Sequence, residues 1–443
     1  MTTEIRNTTD LATEWMPRAE QLATAAQEPA WALEQRRAAA AEFSALGLPK
    51  RTEELWRRTD FGTLEGALAT LDPFASGPLT PGISDLPPAL RARIGGDAEA
   101  LLVQRNRDVV LAHVPAALVA QGVVVSSFDR ALRDHPELVR DALGTLLRTD
   151  YDGWTALGAA LRSGGLFVHV PDGVVAAAPI RLVQWLDAPG VLAAPRTLVV
   201  LGRGASATIV DDQVSETLSG VALHLGATEV ILGEDAKLVF AMLEDWGRNV
   251  YHYGNQRAQI GRNAELQWIQ TLLGGRMVKS NSYFDLAGPG AQAFVHGFMF
   301  GDQRQHFHLH TLQRHQVDHT TSDLLIKGCL KDRARSIYQG LIQVSEGAQR
   351  TDAYQANRNL LLSDTARADS IPGLEILAND VRCTHGATIG HVDDEQLYYL
   401  MARGLPRAEA QRLIVEGFFA PVLDRIPLGA VREQLRLEIE RKI

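Results

Sequence analysis

GRGASATIVDDQVSETLSGVALHLGATEVILGEDAKLVF, residues 202–240, decides the fold class. Its apolar runs, ATIV, VALHLG, TEVIL and KLVF, are short, rich in Val, Ile and Leu, and broken by Gly, Asp and Ser, which is how strands separated by turns read. The same texture starts at Gly165 with LFVHV and runs on through PIRLVQWL, RTLVVL and ELQWIQ, with no helix of normal length for about two hundred residues. That excludes an alternating βα fold and leaves a sandwich, a barrel, a propeller or a solenoid.

A recurring corner narrows the choice. GRGASATI, GEDAKLVF, GRNAELQW, GPGAQAFV, KDRARSIY, SEGAQRTD and SDTARADS each place an alanine after a turn-like triplet, at 205, 236, 264, 291, 334, 348 and 366. The spacings are 31, 28, 27, 43, 14 and 18 residues, so coils vary in length or some corners go unrecognised. A sandwich would explain the strands without requiring one repeated corner, whereas a solenoid stacks each coil on the last. The expected fold is therefore mainly β: a right-handed parallel β-helix core over residues 165–391, between an N-terminal helical region with linker, 1–164, and a C-terminal helical region, 392–443.

The flanks support that division. Residues 10–47 are rich in Ala, Leu, Glu and Arg and split at Pro29 into two helices, the second stopped by Gly47. RTEELWRRTD, residues 51–60, offers Trp56 as an anchor onto the core, and residues 66–88 read as loop. Helical patterns follow over 126–147, with Ser127 as N-cap, and over 152–161. After His391, Asp393 and Asp394 can cap DDEQLYYLMARG, Gly404 can end it, and Pro406 opens the next helix. In the last helix Leu428, Val431, Leu435 and Ile439 recur at helical spacing, and the residues alone favour an intramolecular packing face.

Composition sets limits on function. A formal net charge of -9 argues against a nucleic-acid surface. The absence of a long apolar run and of a signal-like N-terminus makes a cytoplasmic protein the expectation. Two cysteines, Cys329 and Cys383, cannot build a disulfide framework or supply the four thiolates that usually hold an iron–sulfur cluster. No Walker A motif, Gly-x-Ser-x-Gly elbow or His-Glu-x-x-His helix occurs, and Gly202-Arg203-Gly204 precedes a strand rather than a helix. Asp211 and Asp212 read as a solvated pair in a turn.

Two constellations carry candidate chemistry. Cys383 and His385 lie two apart after a strand-like run, so an extended backbone turns both to one side, where thiolate and imidazole suit iron. The plainer alternative is a small buried cysteine and a hydrogen-bonded histidine. HFHLHTLQRHQVDH holds His306, His308, His310, His315 and His319. The alternation of His306, His308 and His310 allows a zinc, copper or iron site, as in a β-helical or cupin-like metalloenzyme. A polar ladder on the outside of the solenoid is the preferred reading of these three.

DVRCTHGATIGHVDDEQLYYLMARG (380–404), RTEELWRRTD (51–60) and IKGCLKDRARSIYQGLIQVSEGAQRTDAYQANRNLLLSD (326–364) together resemble the SufB/SufD family of iron–sulfur cluster assembly proteins. YQANRNLLLSD lacks the cysteine expected of the SufB branch, and His385-Gly386-Ala387 stands where that branch has His-Glu-Ala, so both departures favour the SufD branch. The resemblance implies a β-helical core and a non-catalytic scaffold subunit of the SUF complex. It implies a heterodimer with a SufB-like paralogue, and it leaves room for a homodimer of the isolated chain. It further implies docking of a SufC-like ABC ATPase on the C-terminal helices, contrary to the packing reading of the last stripe, with no nucleotide bound by this chain. Cys383 and His385 would then lie at the subunit interface and handle iron or a nascent cluster transiently, shared with the partner.

Overall fold

The computed structural model describes residues 8–59, 61–74, 82–94 and 99–443; Asp60, residues 75–81 of the expected loop and the first seven residues lie outside them. Among the described residues the strands form two ten-stranded sheets, and the chain passes from one to the other at successive corners. The first sheet runs Asp108–His113, Ala100–Arg105, Ile180–Leu186, Ser206–Ser215, Lys237–Asp245, Glu265–Leu272, Gln292–Gly301, Thr321–Leu330, Asp352–Leu361 and Arg382–His391. The second runs Val124–Ser127, Leu166–Val170, Arg196–Leu201, Ala222–Leu232, Val250–Ile260, Met277–Leu286, His306–His315, Arg335–Val344 and Arg367–Ile376, with Leu192–Ala193 beside Ala222–Leu232. The expected parallel β-solenoid is present, with about eight turns and helices at both ends of the chain.

The corners explain the repeat. Gly204, Asp235, Asn263 and Gly290 adopt left-handed backbone with φ of 64°, 57°, 51° and 78°, a region that Gly, Asn and Asp enter at least cost. The alanine that follows each is fully buried under the next coil. Two of the corners that escaped the pattern explain its widest gap. Gln303 and His319 turn the same way, but Gln305 and Thr320 fill the buried alanine slot, and these two corners divide the 43-residue gap between Ala291 and Ala334.

Sequence periodicity also missed the strands Ala100–Arg105, Asp108–His113 and Val124–Ser127. Asp108–His113 and Val124–Ser127 pair antiparallel with their neighbours and finish the sheets at the N-terminal end. The helical pattern expected over 126–147 is broken at Pro136 into Phe128–Asp134, capped by Ser127, and Pro136–Arg140.

The solenoid interior is mostly apolar, holding Leu182, Ile209, Phe240, Trp268, Phe284 and Leu324 among others, with Phe240 and Trp268 stacked at 4.6 Å. A polar thread runs inside it. Gln184 Nε2 donates to Asp211 at 2.7 Å, Gln184 Oε1 meets His224 Nε2 at 2.8 Å, and His224 Nδ1 meets His252 Nδ1 at 2.7 Å. Glu244 lies 3.4 Å from His252 Nε2. Burial pushes the carboxyls of Glu244 and Asp211 up to about 8 and about 7, and the His252 imidazole down to about 3. Asp211 and Asp212 are therefore not a solvated turn pair. Both are buried in the strand Ser206–Ser215, where alternation turns Asp211 inward and Asp212 outward to Arg93 at 2.9 Å.

Each sheet is covered outside by helices. Trp15, Phe43, Trp56, Phe61 and Trp154 pack on Leu223, Leu225, Tyr251 and Tyr253 of the second sheet. Trp56 is buried against Tyr253 at 5.3 Å, as the anchor reading requires. The C-terminal helices Arg407–Leu423 and Gly429–Lys442 lie on the first sheet, burying Val415, Phe419, Val431, Leu435 and Ile439 against Val210, Leu243, Ile269 and Phe298. The Val431, Leu435 and Ile439 stripe is thus used within the chain and is not free to receive an ATPase. Arg93 joins this helix to the body by reaching Asp212, Asp245 at 2.7 Å and Glu438 at 2.9 Å. No described helix is long and apolar enough to cross a membrane.

Candidate functional site at the open end of the solenoid

Arg367–Ile376 and Arg382–His391 are the last strands of their sheets, and among the described residues no strand pairs with their outer edges. Pairing in strict parallel register sets Cys383 over Ala353, His385 over Gln355, Ala387 over Asn357 and Ile389 over Asn359. Ala353, Gln355, Asn357 and Asn359 are all buried. Cys383, His385, Ala387 and Ile389 therefore continue the inward-facing row, but among the described residues no coil covers them. The same holds across the interior, where Val344 is 0% exposed and Ile376, directly above it, is 38% exposed.

The alternation read from the sequence thus puts Cys383 and His385 in one row at the solenoid mouth. Cys383 is half-buried against Ile342, Val344, Ala348 and Ala353, with Ala378 and Val381 of the last corner beside it. His385 is exposed. Burial raises the Cys383 pKa, the Asp352 carboxylate adds to this, and the Ala353 backbone N–H opposes both. Asp352 is itself tied to Arg382, whose Nε lies 3.1 Å from it. The free chain therefore holds a thiol rather than a thiolate, and a bound metal would have to displace its proton. Among the described residues no group of three or more His, Cys, Asp or Glu side chains is placed to hold a metal ion, so a metal on this pair would need donors from elsewhere.

Sequence reasoning overlooked the floor beneath this pair. Gln355 is fully buried, and neither its amide oxygen nor its amide nitrogen has a hydrogen-bond partner; Asn359 Oδ1 and Ser370 Oγ are also buried and unpartnered. The signal was present in YQANRN, where Gln355, Asn357 and Asn359 alternate as polar residues on the row that faces inward.

The histidine row is built differently. His306, His308 and His310 share the outward face of His306–His315, since Phe307 and Leu309 enter the core. His308 is buried, with Nδ1 2.5 Å from Thr59 Oγ1 and Nε2 2.7 Å from Gln339 Oε1. His310 Nδ1 lies 2.9 Å from Tyr283 OH. Lys279, lowered to about 7 by burial, donates to the Leu55 carbonyl at 3.0 Å and sits 3.3 Å from His308 Nδ1. Both ring nitrogens of His308 are committed, so the row works as a polar ladder that seats the segment around Trp56 rather than as a metal site. His315 turns inward to Thr320 and Ser322, and His319 occupies a corner beside Asp318.

Two family models match the chain: SUF system FeS cluster assembly, SufBD core domain, over residues 184–418, and SufBD protein N-terminal region, over residues 98–182. The iron-sulfur cluster assembly protein SufD of Bacillus subtilis is 32% identical over 421 residues, spanning 94% of this chain and 95% of the relative. The chain belongs to the SufB/SufD family. SufBD family proteins of Staphylococcus saprophyticus and Staphylococcus epidermidis are 26% and 27% identical over 334 residues, 75% of this chain and 72% of each relative. The SufB/SufD family works in iron–sulfur cluster assembly, and the expected resemblance to its SufD branch agrees with the Bacillus relative.

Proposed function

We propose that the chain is a non-catalytic scaffold subunit whose open solenoid end receives a SufB-like paralogue, with Cys383 and His385 contributing donors for iron or a nascent cluster carried as cargo across that seam. The observation that supports this best is the uncovered inward row. A solenoid that left Leu374, Ile376 and Ile389 uncovered, beside two unpaired strand edges, would invite uncontrolled association unless a partner covered it. A second chain with a matching end extends both sheets and buries these side chains, and it can bring the missing ligands to the thiol and imidazole.

The C-terminal helices are proposed as the seat of a SufC-like ATPase. Since the Val431, Leu435 and Ile439 face is occupied, the docking surface is better sought on Asp394–Ala402, where Tyr398, Tyr399 and Met401 are exposed and only Leu397 is buried.

Co-expression with a SufB-like paralogue and a SufC-like ATPase tests the reading. Single Cys383→Ala and His385→Ala substitutions are expected to leave the complex assembled and to lower its cluster yield and iron content. Unchanged yield and iron in both variants removes the pair from the mechanism. Tyr398→Ala with Tyr399→Ala is expected to release the ATPase while the scaffold pair stays together.

A further inference from the structure

Gln355 is a costly residue for its position. A buried amide with neither oxygen nor nitrogen partnered is destabilising, and an apolar side chain of the same size would avoid that. The amide reaches across the interior to Gly340, where an added Cβ would lie 2.6 Å from both its nitrogen and its oxygen. Glycine there makes the room the amide occupies. On the mouth side, His385 is the next residue along the same inward row, and successive rungs stand about 4.8 Å apart. Across the interior Ser370, directly above Tyr338, offers a second buried, unpartnered oxygen at the same level. His385 is exposed. Its imidazole and the amide below it are thus a donor and an acceptor waiting one rung apart.

Given the metal reading of the Cys383 and His385 pair, on which this rests, we propose that Gln355 is the positioning residue for His385. When the mouth is covered, the imidazole folds inward over the amide. Gln355 Oε1 then accepts the N–H of one ring nitrogen and leaves the lone pair of the other aimed at the metal shared with Cys383. A ligating histidine needs such a partner to fix its tautomer and ring plane, and loss of the partner typically weakens metal binding 10–100-fold. In this arrangement the fully buried Gln355 acts through His385 and does not itself hold the metal.

The test uses the full chain in complex with its SufB-like partner and Co²⁺ alone as the probe, read by thiolate-to-cobalt absorption, with His385 tautomers read by ¹⁵N NMR. Gln355→Met keeps the volume and removes the acceptor; Gln355→Glu keeps an acceptor oxygen. The expected result is binding about ten-fold or more weaker in Gln355→Met, a mixture of His385 tautomers, an unchanged or raised melting temperature, and recovery in Gln355→Glu. A merely structural glutamine would lower the melting temperature and leave affinity and tautomer alone. Wild-type affinity and a single tautomer in Gln355→Met, while His385→Ala loses Co²⁺, overturns the positioning role and spares the metal reading. Full Co²⁺ binding by both Cys383→Ala and His385→Ala overturns the metal reading and this proposal with it.

Discussion

The two ends of the solenoid are finished in opposite ways. At the N-terminal end, antiparallel strands Asp108–His113 and Val124–Ser127 close the sheets, and Leu118, Val123 and Val125 cover the first coil of the core. At the C-terminal end the last coil carries an inward row with no described residue stacked above it, and Cys383 and His385 stand in that row. An end closed by its own chain contributes to stability, whereas an end left open keeps its apolar surface in reserve for association. Stability and assembly should therefore separate along the axis.

The sharpest break of this comparison is a matched pair of truncations. Leu102→Ala, in the buried first coils, is expected to lower unfolding free energy by about 2–5 kcal/mol in urea titrations. Ile389→Ala, 47% exposed in the last coil, should stay within about 0.5 kcal/mol. Equal losses would mean that the open end is packed by the chain itself.

The polar thread gives a second contrast, since it is sealed between the ends. Glu244 titrates at about 8 in the folded chain against an ordinary 4.5, so between those values the unfolded state is ionised and the folded state is not. Its contribution is present below pH 4.5 and is lost as pH rises through about 8, with a slope of up to about 1.4 kcal/mol per pH unit. Glu244→Gln should flatten that fall in a pH series of denaturation curves; an unchanged slope would assign it to other groups.

Ile389→Lys sharpens the association side. The isolated chain should keep its melting temperature, and affinity for a SufB-like partner should drop ten-fold or more, a loss of about 1.4 kcal/mol or greater. Binding that survives the lysine would place the partner elsewhere. The smallest effect is chemical. In the native free chain, iodoacetamide should label Cys383 and spare Cys329, which is fully buried between the first sheet and the C-terminal helices. Partner binding should then protect Cys383, and mass spectrometry counts both events.

How much of this could be read in advance depended on where side chains were constrained locally. The corner alanines were legible because a left-handed residue followed by a buried methyl repeats in sequence, and the corners at Gln303 and His319 were not, because larger residues fill the same slot. Asp211 and Asp212 were misread because two adjacent carboxylates look like a turn until partners distant in sequence, Gln184 and Arg93, are brought beside them. At the site, the Cys383 and His385 alternation was visible, since strand period alone aligns them. Their place on the last described rung was not, because whether a row is covered depends on the coil that would follow. The last helix shows the limit of resemblance: its apolar stripe was assigned to a partner, and the chain's own sheet has it.

After leaving the mouth at His391, the C-terminal helices double back along the solenoid wall, and Arg441 reaches Asp245 at 3.0 Å while Arg93 holds Glu438. This return works as a ruler. The rungs between Asp245 and the mouth must match the length of the helical arm, so inserting or deleting one whole coil there would slide the arm's charges off their mates by a rung. The measure extends one coil further toward the N-terminus, since Gln434 of the same arm donates to Asp212 at 3.3 Å.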